Sequence, residues 1–263
     1  MIIDVIKSTK GDNYFCLLAA DNGQDGLLID PVDADAALAR AKELGVTVTR
    51  VVNTHWHPDH TAGNAQVIAA TGAKLLVPRG EENLIQGDHS AIGQGDSLTV
   101  GDQTLQVLAT PGHTQGHISL YTPGHLFCGD TIFVGGAGNC RFGGDPHTLF
   151  QSFQGVLSTL PDQTLIYPGH DYSVRNLEFC LHLEPNNQAA TDLLEHARHK
   201  KSNGGFVQTT LAQEKACSPF WHWDNEALQG HLSQNHPEAW AQGADLNLAA
   251  RTFVAVRALR NSW

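Results

Sequence analysis

The sequence predicts a mixed α/β domain followed by a smaller, all-helical one. Three observations predict it. Up to about residue 170, short aliphatic and β-branched runs alternate with amphipathic stretches of helical period. After His170 no convincing strand run follows, while three longer segments keep helical spacing. At 263 residues and 41% hydrophobic, the chain has room for one large domain, an appendage and an ordinary buried core. The division falls at 1–171 and 172–263.

The elements follow in order. MIIDVI, YFCLLAA and GLLID read as short strands, separated by GD and DNGQDG turns. DADAALARAKELG reads as an amphipathic helix, with Asp33 or Asp35 available as its cap and Gly45 as its end. VTVTRVVNT is rich in β-branched residues and predicts a strand. TAGNAQVIAATG predicts a helix closed by Gly72, and AKLLVP a strand. SLTVGDQTLQVLATP predicts a hairpin across Gly101 and Asp102, and HISLYTPGHLFCGD a second one turning at Pro123 and Gly124. HTLFQSFQGVLSTLP predicts a helix and TLIYPGH a short strand. In the tail, SVRNLEFCLHLEP, QAATDLLEHARHKK and LNLAARTFVAVRALR predict helices. There is no internal repeat of fixed period and no low-complexity tract.

Composition narrows the function. The formal charge is −11, from 16 Lys+Arg against 27 Asp+Glu. A nucleic-acid partner demands a dense basic face, and an anionic membrane surface attracts the same charge; this balance argues against both. MIIDVIKSTKGDNYF lacks the basic and apolar regions of a signal peptide. No apolar run approaches the ~18–20 residues that span a bilayer. The five cysteines (Cys16, Cys128, Cys140, Cys180 and Cys217) are odd in number, scattered and without a CxxC pair. That pattern suits reduced thiols in a cytoplasmic protein better than a disulfide framework. The expectation is a cytoplasmic chain acting as a monomer on a small molecule.

The chemistry lies in VVNTHWHPDHTAGN. His55, His57, Asp59 and His60 fall within six positions, just past a strand. Other strand ends repeat the arrangement: VLATPG precedes His113, LFCG precedes Asp130 and LIYPG precedes His170. A sheet gathers its strand ends along one edge, so these loops can converge. Imidazoles and carboxylates without cysteine suit a zinc-like ion. Seven donors exceed one tetrahedral shell, whereas two ions sharing a carboxylate and a water would use them. In that arrangement His55, His57 and His113 hold one metal, Asp59, His60 and His170 the other, and Asp130 bridges. Asp59 and Asp130 would then be the catalytic carboxylates, holding the metal pair whose bridging hydroxide is the nucleophile. A lone histidine after a strand is usually a surface residue. His89, His125, His147, His182, His196, His199, His222, His231 and His236 lack the strand-end setting and read as surface or helix-face residues.

THWHPDH, TPGHTQGH, CGDTIF and YPGHDY resemble the metal motifs of the metallo-β-lactamase superfamily. GHDYSVRNLEFCLHLEPNN, TTLAQEKACSPFWHW and the closing AVRALR narrow the resemblance to glyoxalase II, the hydroxyacylglutathione hydrolases. The resemblance covers nearly the whole chain. It implies an αββα sandwich as catalytic domain over 1–171 and an α-helical substrate-binding domain over 172–263. It implies hydrolysis of S-D-lactoylglutathione to D-lactate and glutathione, in methylglyoxal detoxification. The implied cofactor is a pair of divalent ions, zinc first, with iron or manganese compatible. Free thiols have pKa ~8.5, so a thiolate leaves without a strong general acid.

The same resemblance assigns substrate contacts. Arg257 and Arg260, three apart on the last predicted helix, match the basic pair that grips the glycine carboxylate. Taken alone they read equally as a solvated helix face. Tyr172 matches a tyrosine that contacts the glutathione backbone. The loop GGAGNCRFGGDP departs from the family pattern of a basic residue followed by an aromatic. Arg141 and Phe142 fill those roles if the loop is one residue longer; otherwise Asn139 stands where the basic residue belongs. The nearest rival is a mononuclear iron persulfide dioxygenase of the same fold, which generally lacks such a helical tail.

Overall fold

The computed structural model describes residues 1–263, which divide into two compact units. Neither is continuous in sequence. The first comprises Met1–Thr110, Thr114–Gly129 and Tyr167–His170, and the second Pro111–His113, Asp130–Ile166 and Asp171–Trp263.

The first unit carries the two large sheets. Its elements are β1 (Ile2–Lys7), β2 (Tyr14–Ala19), β3 (Gly26–Ile29), α1 (Ala34–Glu43), β4 (Val48–Val52), α2 (Pro58–Thr61), α3 (Asn64–Thr71), β5 (Lys74–Pro78), β6 (His89–Ile92), β7 (Ser97–Val100), β8 (Gln103–Ala109), β9 (Ile118–Thr122) and β10 (His125–Gly129). Six strands form one sheet in the order β1-β2-β3-β4-β5-β6. The β1–β2–β3 part is antiparallel, and β3, β4, β5 and β6 run parallel. β2 is buried along its whole length, as expected of a strand flanked on both edges. The second sheet is an antiparallel meander of β7, β8, β9 and β10.

Both predicted hairpins form where turn chemistry placed them. Val100 pairs with Gln103 around Gly101–Asp102, and Thr122 pairs with His125 around Pro123–Gly124. Asp33 caps α1 by accepting from Ala36 N, so Asp33 rather than Asp35 fills that role. α1 and α3 cover the parallel sheet. Ala37, Ala41 and Val67 join Leu28, Val51, Leu75 and Val77 in one apolar core.

The second unit is mostly helical. It opens with the two-residue strands β11 (Ile132–Phe133) and β12 (Gly136–Ala137), then α4 (Pro146–Gly155). β13 (Leu165–Pro168) begins in it, and its last two residues pass into the first unit's second sheet, at the edge beside β10. The tail supplies α5 (Ser173–Leu183), α6 (Gln188–Ser202), α7 (Leu211–Cys217), α8 (Glu226–Asn235), α9 (Pro237–Ala241) and α10 (Leu248–Ser262). Phe253 on α10 meets Phe150 and Phe153 of α4 and Phe220, with ring centroids 5.0–5.6 Å apart. This aromatic cluster anchors the last helix.

Candidate metal centre

In the first unit, β3 and β4 run parallel, so their C-terminal ends lie side by side. Asp30 follows one end and Thr54–His55 the other, and Asp30 N donates to Val52 O. Pro58 starts α2 at its first turn, which lifts Asp59 and His60 over the same edge. His170 arrives from β13. Gly169 donates to Gly129 O and accepts from Tyr14 N, which ties that strand end to both sheets.

Here the structure brings five predicted ligands together. His60 Nε2 lies 3.3 Å from His170 Nε2. Asp59 Oδ2 is 3.2 Å from His170 Nε2 and 4.0 Å from His60 Nε2. Two donors each ~2.1 Å from a tetrahedral ion stand about 3.4 Å apart, so the spacings match a shared cation. Asp59 is 51% exposed, while His60 and His170 are buried. The cluster therefore opens to solvent on its carboxylate side. His55 Nε2 faces His57 Nδ1 at 3.1 Å, a second pair of converging imidazole nitrogens.

Proton placement supports this reading. Asp30 is buried, in the left-handed region at φ +54°. Its carboxylate accepts from Thr54 N at 2.7 Å and Thr54 Oγ1 at 2.6 Å, and stands 3.0 Å from His60 Nδ1. The His60 proton therefore sits on Nδ1, and Nε2 keeps a lone pair for an ion. Thr54 Oγ1 spends its proton on Asp30, so it accepts from His55 Nδ1 at 3.0 Å, and His55 Nε2 is likewise left basic. Asp30, Thr54, His55 and His60 thus form one oriented network.

Three of its supports escape a motif reading. Asp30 obeys the same strand-end rule as the ligands, which is the signal that could have found it. Buried Glu81 accepts from Trp56 N at 2.8 Å and Gly116 N at 2.9 Å, pinning the ligand loop to the 114–117 loop. Burial pushes its carboxyl above the usual range, against the pull of its hydrogen bonds. His117 is buried, stacks on His55 at 5.1 Å and lies 3.0 Å from Thr110 Oγ1 through Nδ1. Gly129 sits at φ +46°, where an added Cβ would stand 2.4 Å from Thr54 Oγ1 and 2.8 Å from His117 Nε2.

The second unit holds the other two predicted ligands together. His113 Nε2 lies 3.5 Å from Asp130 Oδ2. His113 Nδ1 lies 2.5 Å from Asn139 O. A carbonyl only accepts, so the proton is on Nδ1, and Nε2, on the Asp130 side, keeps the lone pair. Asn139 thus serves through its backbone, and its side chain accepts from Arg141 N at 3.1 Å.

The predicted substrate contacts are all in this unit. Arg260 is half-buried and gives Nε and Nη2 to Asn176 Oδ1, at 3.0 and 2.9 Å. Burial, and then the charge of Arg175, hold its pKa below the ordinary arginine value. Arg141 is exposed and donates to Asn261 O at 2.6 Å, and Phe142 beside it is 64% exposed. Tyr172 stands at the start of α5 with its ring on Phe133 at 5.3 Å. Arg257 differs from a solvent-facing contact. It is 4% exposed, donates through Nη1 to Ala137 O and Gly138 O, and through Nη2 to Asn261 Oδ1 at 3.2 Å. No side-chain carboxylate pairs with Arg141, Arg257 or Arg260, whereas Arg175 donates through Nη2 to Trp263 O. Among the histidines read as surface residues, His222 departs: it is largely buried between Glu184, at 2.8 Å, and Lys215 O.

Comparison with known proteins places this arrangement. Residues 10–170 match the metallo-beta-lactamase superfamily, and residues 171–263 match the hydroxyacylglutathione hydrolase C-terminus. The hydroxyacylglutathione hydrolase of Nitrosococcus oceani is 41% identical over 255 residues, covering 95% of each chain. That of Anaeromyxobacter dehalogenans is 41% identical over 262 residues, covering 99% of each. Among solved structures, ETHE1 of Myxococcus xanthus superposes with a TM-score of 0.67 at 28% identity, covering 100% of this chain and 99% of its own.

Proposed function

The chain belongs to the hydroxyacylglutathione hydrolases of the metallo-β-lactamase superfamily, and on that premise we propose that it hydrolyses S-(2-hydroxyacyl)glutathione, with S-D-lactoylglutathione the principal substrate. The supporting observation is the pair of donor sets, one in each unit, whose metal-facing nitrogens are fixed by hydrogen bonds at the far side of each ring. The ligand assignment is His55, His57 and His113 for one ion and Asp59, His60 and His170 for the other, with Asp130 shared. Zinc is the first choice, and iron or manganese suit the same donors. Such ions supply a water acidic enough to ionise near neutral pH and a Lewis acid for a carbonyl oxygen.

The chain's own residues do the rest. Asp30 and Thr54 keep His60 and His55 in the ligating tautomer, and Asn139 does so for His113. Glu81 and Gly129 hold the loops that carry them. Arg260 and Arg141, unpaired with carboxylates in a protein of charge −11, form a local positive patch that attracts an anionic substrate. Tyr172, the cap residue just before α5, flanks it. Residues 172–263 serve as the substrate-binding part in this reading. No protein acid is required for departure of a thiolate of pKa ~8.5.

A persulfide dioxygenase of the same fold is the competing reading. The match of residues 171–263 to the hydrolase C-terminus favours hydrolysis. No helix is long and apolar enough to cross a membrane. The proposal places the protein in the cytoplasm as a monomer, clearing the thioester formed from methylglyoxal. The test is hydrolysis of S-D-lactoylglutathione by the zinc-loaded protein, beside oxygen uptake on glutathione persulfide by the iron-loaded protein. Thioester cleavage without oxygen uptake supports the proposal; the reverse overturns it.

A further inference from the structure

Arg257 is an odd residue to bury. Its guanidinium has lost water on nearly every side, and the charged groups facing it include Arg260 and Arg141, which repel it. The ring of Phe220 lies 5.4 Å from its Cζ, and Nε has no hydrogen-bond partner. Removing a cation from water without a counter-ion is costly. The acceptors it does have are backbone carbonyls in one short stretch, Ala137 and Gly138, plus Asn261 one turn further along α10.

That stretch leads directly to a ligand. The carbonyl after Gly138 is Asn139 O, which lies 2.5 Å from His113 Nδ1. Gly138 is pressed against the same place. An added Cβ there would stand 2.0 Å from Asp130 O and 3.1 Å from His113 Cβ and Nδ1. Gly138 N also donates to Thr131 O at 3.2 Å. The backbone at 137–139 is therefore clamped between α10 on one side and the His113–Asp130 pair on the other.

We infer that Arg257 is a positioning residue for the metal ligand His113: it fixes the Ala137–Asn139 backbone so that Asn139 O holds the imidazole with Nε2 toward Asp130. The inference rests on the reading of His113 as a ligand. It gives Arg257 a task beyond the substrate contact that its spacing from Arg260 implies.

Zinc affinity of the full-length apoprotein, measured by competition with a chromophoric chelator, tests this without reference to catalysis. In Arg257→Gln the His113 end of the centre should lose 10–100-fold in zinc affinity, the range for loss of an outer-shell support. Arg260→Gln, at the neighbouring arginine that bonds Asn176 Oδ1 and not the 137–139 backbone, should keep its zinc affinity within about twofold of wild type. Arg257→Lys keeps the charge and a donor, and should fall between wild type and Arg257→Gln. It also carries the test if the glutamine variant does not fold. Unchanged zinc affinity in Arg257→Gln, or an equal loss in Arg260→Gln, would overturn the inference. Failure of the wild type to hydrolyse the thioester would leave the zinc measurement intact and strike only at the proposed substrate.

Discussion

Asp30→Asn isolates the network that fixes the ligand tautomers. The change keeps shape, and asparagine tolerates the left-handed backbone at φ +54°. One side-chain oxygen still accepts from Thr54 N, now 2.7 Å from Asp30 Oδ1. The other oxygen becomes an NH2 group, a donor facing Thr54 Oγ1 at 2.6 Å and His60 Nδ1 at 3.0 Å. Two donors cannot share that space. His60 must move its proton to Nε2, the atom 3.3 Å from His170 Nε2. Thr54 must turn its own proton away from position 30, towards His55 Nδ1. Both rings then lose the lone pair aimed at an ion. Outer-shell changes of this kind cost 10–100-fold in metal affinity, or about 1.4–2.8 kcal/mol at 1.4 kcal/mol per tenfold. Zinc competition titration measures the loss, and long-range 15N NMR of the apoprotein reads the tautomer. Zinc affinity within about twofold of wild type, with the His60 proton still on Nδ1, would refute the reasoning.

Three further outcomes are expected. Glu214 is buried and accepts from Gly135 N and Thr209 Oγ1, and burial raises its pKa from 4.5 to about 7. The folded state holds that proton more tightly than the unfolded chain, so stability falls as pH rises from 4.5 to 7 and levels off above it. The contribution is about 3 kcal/mol at 1.36 kcal/mol per unit, and Glu214→Gln should flatten the fall by that order in denaturant melts at pH 5 and 7.5; an unaltered slope would contradict it. Gly129→Ala forces a Cβ to within 2.4 Å of Thr54 Oγ1 at a positive φ. It should cost about 1–3 kcal/mol and lower zinc retention, read by Tm and metal content, and wild-type values for both would count against the close packing. Arg260→Ala should raise KM for the glutathione thioester about tenfold or more, as loss of a charge-assisted bond does, with kcat little changed, and an unmoved KM would take Arg260 out of substrate binding.

Much of the fold was legible because its signals are local. The turns at Gly101–Asp102 and Pro123–Gly124, the Asp33 cap and the stop at Gly72 are each set within a few residues. Elements that escaped notice were short or polar. β6 is four residues of HSAI with little burial, and β11 and β12 are two residues each. α7 carried a readable capping box at Thr210 and Gln213, and α9 a proline at its first turn. The strand-end rule pointed to the predicted ligands because β4, β8, β10 and β13 lead into them on a backbone whose direction is predictable. It left Asp30 and Glu81 aside because their roles depend on partners 24–35 residues away. The spacing of Arg257 and Arg260 was visible, but helical period does not say that one of them lies beneath the surface.

The most direct test is a zinc titration of the apoprotein in which bound metal per chain and S-D-lactoylglutathione hydrolysis are followed together. Saturation at two ions per chain is expected, with activity completed by the second. Full activity at one ion, or two tightly held ions without thioester cleavage, would contradict it.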